Sequence, residues 1–301
     1  MNRYWPLLLL LASVWGASYL FIKVAVDGGF EPGPLMCARA AIGAAILCGY
    51  LVRTMGRSRA VAALRASWRQ WAVIGLIGTA IPFWLVAWGE THVDSGIAAV
   101  AQSTVPLFTV LLGLRFLPHE PLTRGRLLGL ALGLVGVGVL AGGHPGGGWW
   151  SVAGTLAVVL SSIAYACGGI IGQRSVSDTP GPVLATGAMI SAAVSLLPLA
   201  LVQAPSSSPD GDALLSLLAL AVLGTAVAQL VMYRLINLVG ARRMSLVTYL
   251  MPGFALLYGA VLLDEPVTAP VLAGLGLILG GVALGSGTIA AVRRKPAEVP
   301  G

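Results

Sequence analysis

Ten apolar runs succeed one another along the chain, at 5–27, 34–52, 70–91, 95–116, 125–142, 151–172, 182–202, 213–235, 243–263 and 267–290. A helix rises 1.5 Å per residue, so a run of about 20 residues crosses the roughly 30 Å hydrocarbon core of a bilayer. The pattern predicts an all-α membrane protein of ten transmembrane helices. Arg3 ahead of a leucine run gives the first segment the look of a signal peptide. Its apolar stretch continues past Ala17 to Val26 and nine more runs follow, so it reads as a retained helix.

The runs repeat. Gly78-Thr79-Ala80 returns as Gly224-Thr225-Ala226, 146 residues later, and the same offset relates Val93 to Val239 and Pro106 to Pro252. After one residue drops out, Glu120-Pro121-x-Thr123 matches Glu265-Pro266-x-Thr268, then Gly129 matches Gly274 and Gly136 matches Gly281. Duplication explains such a register, and it divides the chain into a first five-helix repeat at 1–145, a second at 146–292 and a tail at 293–301.

Charge gives the repeats a direction. Arg53, Arg57, Arg59, Arg65 and Arg69 lie between helices 2 and 3; Arg115, Arg124 and Arg126 flank the loop after helix 4; Arg174 follows helix 6. Arg234, Arg242 and Arg243 surround the loop after helix 8, and Arg293, Arg294 and Lys295 lie in the tail. The alternate loops, 28–33, 92–95, 143–150, 203–212 and 264–269, contain neither Lys nor Arg. The positive-inside rule then predicts cytoplasmic N and C termini. Five crossings per repeat is an odd number, so the second copy is expected upside down relative to the first, with Glu120-Pro121 inside and Glu265-Pro266 outside. Inverted repeats of this kind build secondary transporters, with the substrate held near the midplane between the halves.

Composition agrees with the membrane and narrows the classes. Hydrophobic residues make up 57% of the chain and charged ones 10%, with a mean hydropathy of +0.90, far from the roughly 25% charged surface-and-core mixture of a soluble domain. The net charge of +7 is clustered between apolar runs and forms no face that could follow phosphates, so nucleic acid is not an expected partner. Cys37, Cys48 and Cys167 lie inside apolar runs and read as small core residues rather than a disulfide or metal set. His92, His119 and His144 fall in loops, and neither HExxH nor GxSxG occurs. No catalytic residue, metal or cofactor is predicted; the expected partners are the bilayer and a small-molecule substrate.

Further motifs point to a family. Trp15-Gly16-Ala17-Ser18-Tyr19 in helix 1, the Pro34…Arg39 entry to helix 2 and a Glu-Pro closing helices 4 and 9, set in two five-helix repeats, resemble the EamA-type transporters of the drug/metabolite transporter superfamily. The resemblance covers nearly the whole chain. It implies a multi-pass permease of the bacterial inner membrane, often an exporter of amino acids or related metabolites. It also implies a central cavity walled by helices 1–4 and 6–9, with helices 5 and 10 as supports.

Depth arithmetic selects candidate cavity residues. Trp15 lies about 15 Å into helix 1, near the midplane, with Ser18 and Tyr19 one turn on along the same face. Either a substrate-facing wall or helix packing beside Gly16 accounts for it. Trp84 and Trp88 form an i, i+4 pair on helix 3, while Trp5, Trp71, Trp149 and Trp150 read as interface anchors. Gln102 and Ser103 on helix 4 correspond to Thr248 and Tyr249 on helix 9, each pair one turn before its aligned proline, Pro106 or Pro252. Those prolines free carbonyls and kink the helix, so the four polar residues are expected along the pathway, with interhelical hydrogen bonding as the alternative. Tyr165 and Gln229 are further candidates, whereas Ser161 and Ser162 read as caps of backbone carbonyls. The small faces of helix 5 (Gly129, Gly133, Gly136) and helix 10 (Gly274, Gly281, Gly285) predict close packing within each half, which leaves a monomer sufficient for transport.

Four charges fall in the outer third: Lys23, Arg39, Glu90 and Asp94. Lys23 and Arg39 are the basic residues that depart from the loop-charge pattern, and Glu90 is the acid best placed to stabilise them. A pair between Glu90 and Arg39 or Lys23 would form a closable outer gate or receive a substrate carboxylate; a permanent ion pair with a snorkelling Lys23 is the alternative. The function expected is a secondary transporter, an exporter of neutral or zwitterionic metabolites and of amino acids first. A passive uniporter or channel-like permease is the alternative, and a multidrug exporter is less favoured, because no carboxylate lies at mid-membrane depth.

Overall fold

In a computed structural model, residues 4–116, 123–142, 148–175, 179–204, 208–240, 244 and 246–285 are described, and among them there are helices and connecting segments with no strand. Glu120-Pro121, His119, His144, Arg242, Arg243, the distal end of the tenth run and the tail with Arg293, Arg294 and Lys295 lie outside the described residues, as does the Arg174 side chain. The helices are α1 (Trp5–Asp27), α2 (Pro32–Met55), α3 (Arg57–Ala66), α4 (Trp68–Gly75), α5 (Ile81–Glu90), α6 (Ser95–Gln102), α7 (Val105–Phe116), α8 (Arg124–Gly142), α9 (Trp149–Ser175), α10 (Gly181–Val202), α11 (Gly211–Ala221), α12 (Ala228–Val239), α13 (Leu246–Leu262) and α14 (Ala269–Gly285). Among the described residues eight spans are long and apolar enough to cross a bilayer, and α13 and α14 are apolar but 17 residues each. The protein is a multi-pass membrane protein.

Local sequence accounts for the ends. Proline stands in the first turn of α1, α2 and α10, where its missing N–H has no helical acceptor to lose; Pro82 of α5 instead follows directly on a helical turn. Asp210 caps α11 by accepting from the Ala213 N–H at 2.7 Å. Gly56 (φ 81°) ends α2 and Gly240 (φ 77°) ends α12, in a backbone region that other residues enter at a steric cost.

Three runs are broken rather than straight. α4 and α5 are joined by a π-helical turn, Leu76–Ala80, and α11 and α12 by another, Val222–Val227; these enclose the two Gly-Thr-Ala copies. α6 gives way to α7 at Ser103–Thr104, just ahead of Pro106, whereas α13 continues through Pro252. The arginine-rich segment read as a loop contains α3. Its Ala60 packs with Leu51 and Val183 while Arg57, Arg59 and Val61 stay exposed, the partition of an interfacial helix.

The halves are interleaved. α2 packs along α10, α1 along α13, and α9 against α5 and α7. The glycine faces, expected to pack within each half, meet mainly across the halves, with α8 along α14, while Gly133 also meets Leu107 of its own half. A Cβ on Gly136 would fall 3.0 Å from the Gly274 carbonyl oxygen, and one on Gly281 2.8 Å from the Gly133 nitrogen. Lipid offers no hydrophobic gain for helix association, so backbone approach permitted by small residues supplies the attraction, and here both faces are small. Each π turn likewise sits against the first two helices of the other half. Gly78 meets Gly168 of α9 and Gly75 meets Ser191 of α10; Gly224 meets Ser18 of α1 and Thr225 meets Gly43 of α2.

Candidate functional site

The polar centre of the bundle is built around Arg39. Two turns into α2, its side chain is 7% exposed. Nε donates to Thr225 Oγ1 at 2.9 Å, Nη1 approaches Met36 Sδ at 3.7 Å, and the guanidinium carbon lies 3.9 Å from the Phe83 ring centroid. The Thr225 hydroxyl donates its own proton to the Leu220 carbonyl at 3.0 Å, which leaves its lone pairs for Arg39. Tyr19 of α1, Tyr165 of α9 and the Glu90 carboxyl are within electrostatic range. A hydrogen bond to a charged group contributes about 1.5–3 kcal/mol, and a desolvated cation–π contact about 2 kcal/mol. No carboxylate pairs with the guanidinium among the described residues.

The ion pair expected among Lys23, Arg39 and Glu90 is arranged differently. Lys23 pairs with Asp27, one turn along α1, at 3.1 Å, and also donates to the backbone carbonyl of Glu90 at 3.2 Å. The Glu90 side chain is fully buried, and neither carboxyl oxygen has a hydrogen-bond partner. The anticipated pair between Glu90 and Arg39 or Lys23 is thus not formed in this structure. Asp27 competes for Lys23 from i+4, the favourable helical spacing, and Thr225 and Phe83 hold Arg39.

Gln102 and Ser103 are engaged with helices. The Gln102 side chain donates to Ser162 Oγ at 3.1 Å and accepts from Ser161 Oγ at 2.7 Å, so both amide ends are satisfied between α6 and α9. Ser161 and Ser162 therefore do more than cap Val158. Ser103 donates to the Ala99 carbonyl and Ser18 to the Val14 carbonyl, both at 3.1 Å. A buried amide takes the nearest donor and acceptor because an unsatisfied one costs about 1–3 kcal/mol; α9 offers two hydroxyls side by side.

The aromatic candidates divide. Trp15 is half-buried between the two largest apolar clusters, and Tyr249 and Tyr165 pack on the larger one. Trp84 stacks on Trp88 with centroids 6.4 Å apart, Trp88 on His92 at 4.5 Å and His92 on Trp150 at 5.3 Å; the Trp84 indole N–H is buried without an acceptor. Trp71 is not a free interface anchor. It packs on Gly187 of α10 and donates to the Leu64 carbonyl at 2.8 Å. Gln229 and Thr248 are both half-buried.

Glu265 has a role in the fold that its motif did not disclose. Its carboxylate accepts from the Ser95 N–H and hydroxyl, both at 2.8 Å, and from the Gly96 N–H at 3.1 Å. Asp94, at the N-cap position, makes no side-chain cap. The second half thus caps a helix of the first, where free N–H groups and the helix dipole favour an anion.

Two segments, residues 3–142 and 152–287, each match the family model of the EamA-like transporter family. The chain belongs to the EamA-like transporter family. Similar proteins include a probable terminal-alkyne amino-acid exporter of Streptantibioticus cattleyicolor, 30% identical over 99% of this chain and 97% of the relative. A probable amino-acid metabolite efflux pump of Salmonella typhimurium is 26% identical over 92% of each chain, and the uncharacterized inner membrane transporter YedA of Escherichia coli is 29% identical over 90% of this chain and 86% of its own. A solved crystal structure superposes with a TM-score of 0.68 at 21% identity, over 96% of this chain and 98% of that one, which is a likeness of fold.

In this EamA-like chain the residues that sequence reasoning passed over are Thr225, Phe83, Met36 and Asp27. Thr225 stood inside the Gly-Thr-Ala repeat, and Asp27 at i+4 from Lys23 was open to the helical pairing rule. Met36 likewise lies one turn before Arg39 on α2. Phe83 carried no signal, since only the fold brings α5 over α2.

Proposed function

We propose that this EamA-like chain is a secondary transporter that exports small zwitterionic or neutral metabolites, amino acids first, across a bacterial inner membrane. On this reading the eight long spans with α13 and α14 make ten crossings, arranged as inverted repeats at 1–145 and 146–292 with a tail at 293–301 and both termini cytoplasmic. The observation that carries the reading is Arg39: a buried guanidinium held by a hydroxyl, a thioether and an aromatic face. A guanidinium so placed is a ready partner for a substrate carboxylate. Tyr19, Tyr165, Tyr249 and Trp15 would wall the substrate, and the Trp84 N–H would donate to it. The names of the amino-acid-exporting relatives support the class.

The reading is tested with purified protein in proteoliposomes, following counterflow of a mixture of proteinogenic amino acids by mass spectrometry. The wild type is expected to exchange at least one of them with saturation and trans-stimulation. Arg39→Ala should abolish exchange while α-helix content stays near wild type, with a lower thermal midpoint from the lost Thr225 bond and Phe83 contact; Arg39→Lys, which keeps a cation, should retain more of that midpoint and still exchange poorly. Wild-type vesicles that exchange none would sink the substrate class. Exchange by Arg39→Ala with unchanged KM would remove Arg39 from the site.

A further inference from the structure

Of the charged side chains described, Arg39 and Glu90 are the two that are buried. Arg39 has polar partners; Glu90 has none on either oxygen. A carboxylate without donors is not kept ionised inside a membrane bundle, whereas the neutral acid is a tolerable guest. The nearest cation points elsewhere: Lys23 binds Asp27 at 3.1 Å and touches Glu90 only through its backbone carbonyl, at 3.2 Å.

We propose that Glu90 is the proton-carrying group of the transport cycle, neutral in the conformation described here and ionised when the inner end of the bundle opens. The inference rests on the transport reading above and adds what drives it. Glu90 stands between the outer end, where the exposed Asp27 meets solvent, and the Arg39 cluster, which is within electrostatic range. From the outer phase the carboxylate takes up one proton, forming its O–H bond. Towards the inner phase that bond breaks, the electron pair stays on the carboxylate and the proton passes to water. One proton enters per substrate exported.

The groups facing Glu90 suit such a cycle. Within electrostatic range of it are Tyr19, Lys23 and Asp27 of α1, Arg39 of α2 and Glu265 of the segment before α14. Helix α6 contains no ionisable residue, and Tyr165 of α9 is within electrostatic range of Arg39. Lys23 already touches the Glu90 backbone carbonyl at 3.2 Å, so on ionisation it would exchange Asp27 for the Glu90 carboxylate, and the charge switch is also a change of pairing at the outer end.

Wild-type and Glu90→Gln proteins are compared in proteoliposomes with the amino-acid mixture, and in solution by infrared spectroscopy. In the wild type a pH gradient should raise accumulation of the transported amino acid several-fold; in Glu90→Gln accumulation should fall to the gradient-free level while exchange without a gradient stays within a few-fold. The wild type should also show a protonated-carboxyl stretch at neutral pH that Glu90→Gln lacks. Accumulation by Glu90→Gln equal to wild type, or identical carboxyl spectra, would overturn the proposal. If wild-type vesicles move no amino acid, the transport reading falls and the infrared difference alone decides whether Glu90 holds a proton.

Discussion

The two π-helical turns sit at matching places in the two halves and are held by different means. The first is fixed by backbone: Gly78 lies against Gly168, leaving no room for a side chain on either, and Thr79 is buried there. The second is held by a side chain, because Thr225 accepts from Arg39 across the halves. A glycine contact is made or lost as a whole, whereas a hydrogen bond between mobile groups can be exchanged for one to a ligand. The asymmetry puts the adjustable half of the symmetric frame beside the buried cation, and π turns are frequent at functional sites.

The largest expected effect breaks the first turn. Gly168→Val would place methyl groups against Gly78, and overpacking of this kind costs about 1–3 kcal/mol or more; a drop in thermal midpoint and in detergent-extracted yield should follow. A yield and midpoint equal to wild type would mean that the glycines are not what fixes this turn. Next comes the paired comparison of the hydroxyls. Thr225→Val removes the Arg39 acceptor and should destabilise by about 1.5–3 kcal/mol, with altered exchange kinetics. Thr79→Val should cost less than about 1 kcal/mol; equal losses in the two variants would end the contrast.

Smaller effects sharpen the boundary of the adjustable region. Trp15→Ala is expected to slow exchange several-fold with the protein still folded, and unchanged kinetics would assign Trp15 to packing alone. Cysteine at 102, with the native cysteines replaced, should resist a water-soluble thiol reagent, since Gln102 is 4% exposed and lies against Ser161 and Ser162. Rapid labelling that substrate slows would put this face back on the pathway. The smallest effect is at the rim: Asp27→Asn disrupts a pair with one exposed partner, worth about 0.2–1 kcal/mol, and should barely move the thermal midpoint.

The helical frame was legible in the sequence because apolar length is a one-dimensional signal. The runs at 5–27 and 95–116 match their structural spans at both ends, and the duplicated Gly-Thr-Ala marked the two π turns without revealing their shape. What could not be read was which faces meet. The glycines of α8 promised close packing, but only the interleaving of halves decides that α14 is the partner. Gln102 was rightly singled out as a membrane-buried amide, yet its satisfaction by Ser161 and Ser162 depends on the rotation of α9. Arg39 and Glu90 were identified as charges in need of partners; Thr225, Phe83 and Asp27 became visible only when distant helices were brought together.

The cap on α6 has a temporal consequence. Ser95 waits 170 residues for Glu265, and at about 5–20 residues per second the ribosome needs roughly 9–34 seconds to deliver it. The glycines of α8 wait almost as long for α14. During that interval the first five helices have their small faces and one helix terminus uncovered, so a chain interrupted midway is an incomplete surface rather than half a protein. Synthesis of the second half is therefore the assembly step of the first, and premature stops beyond residue 145 should be cleared by proteolysis as readily as those before it.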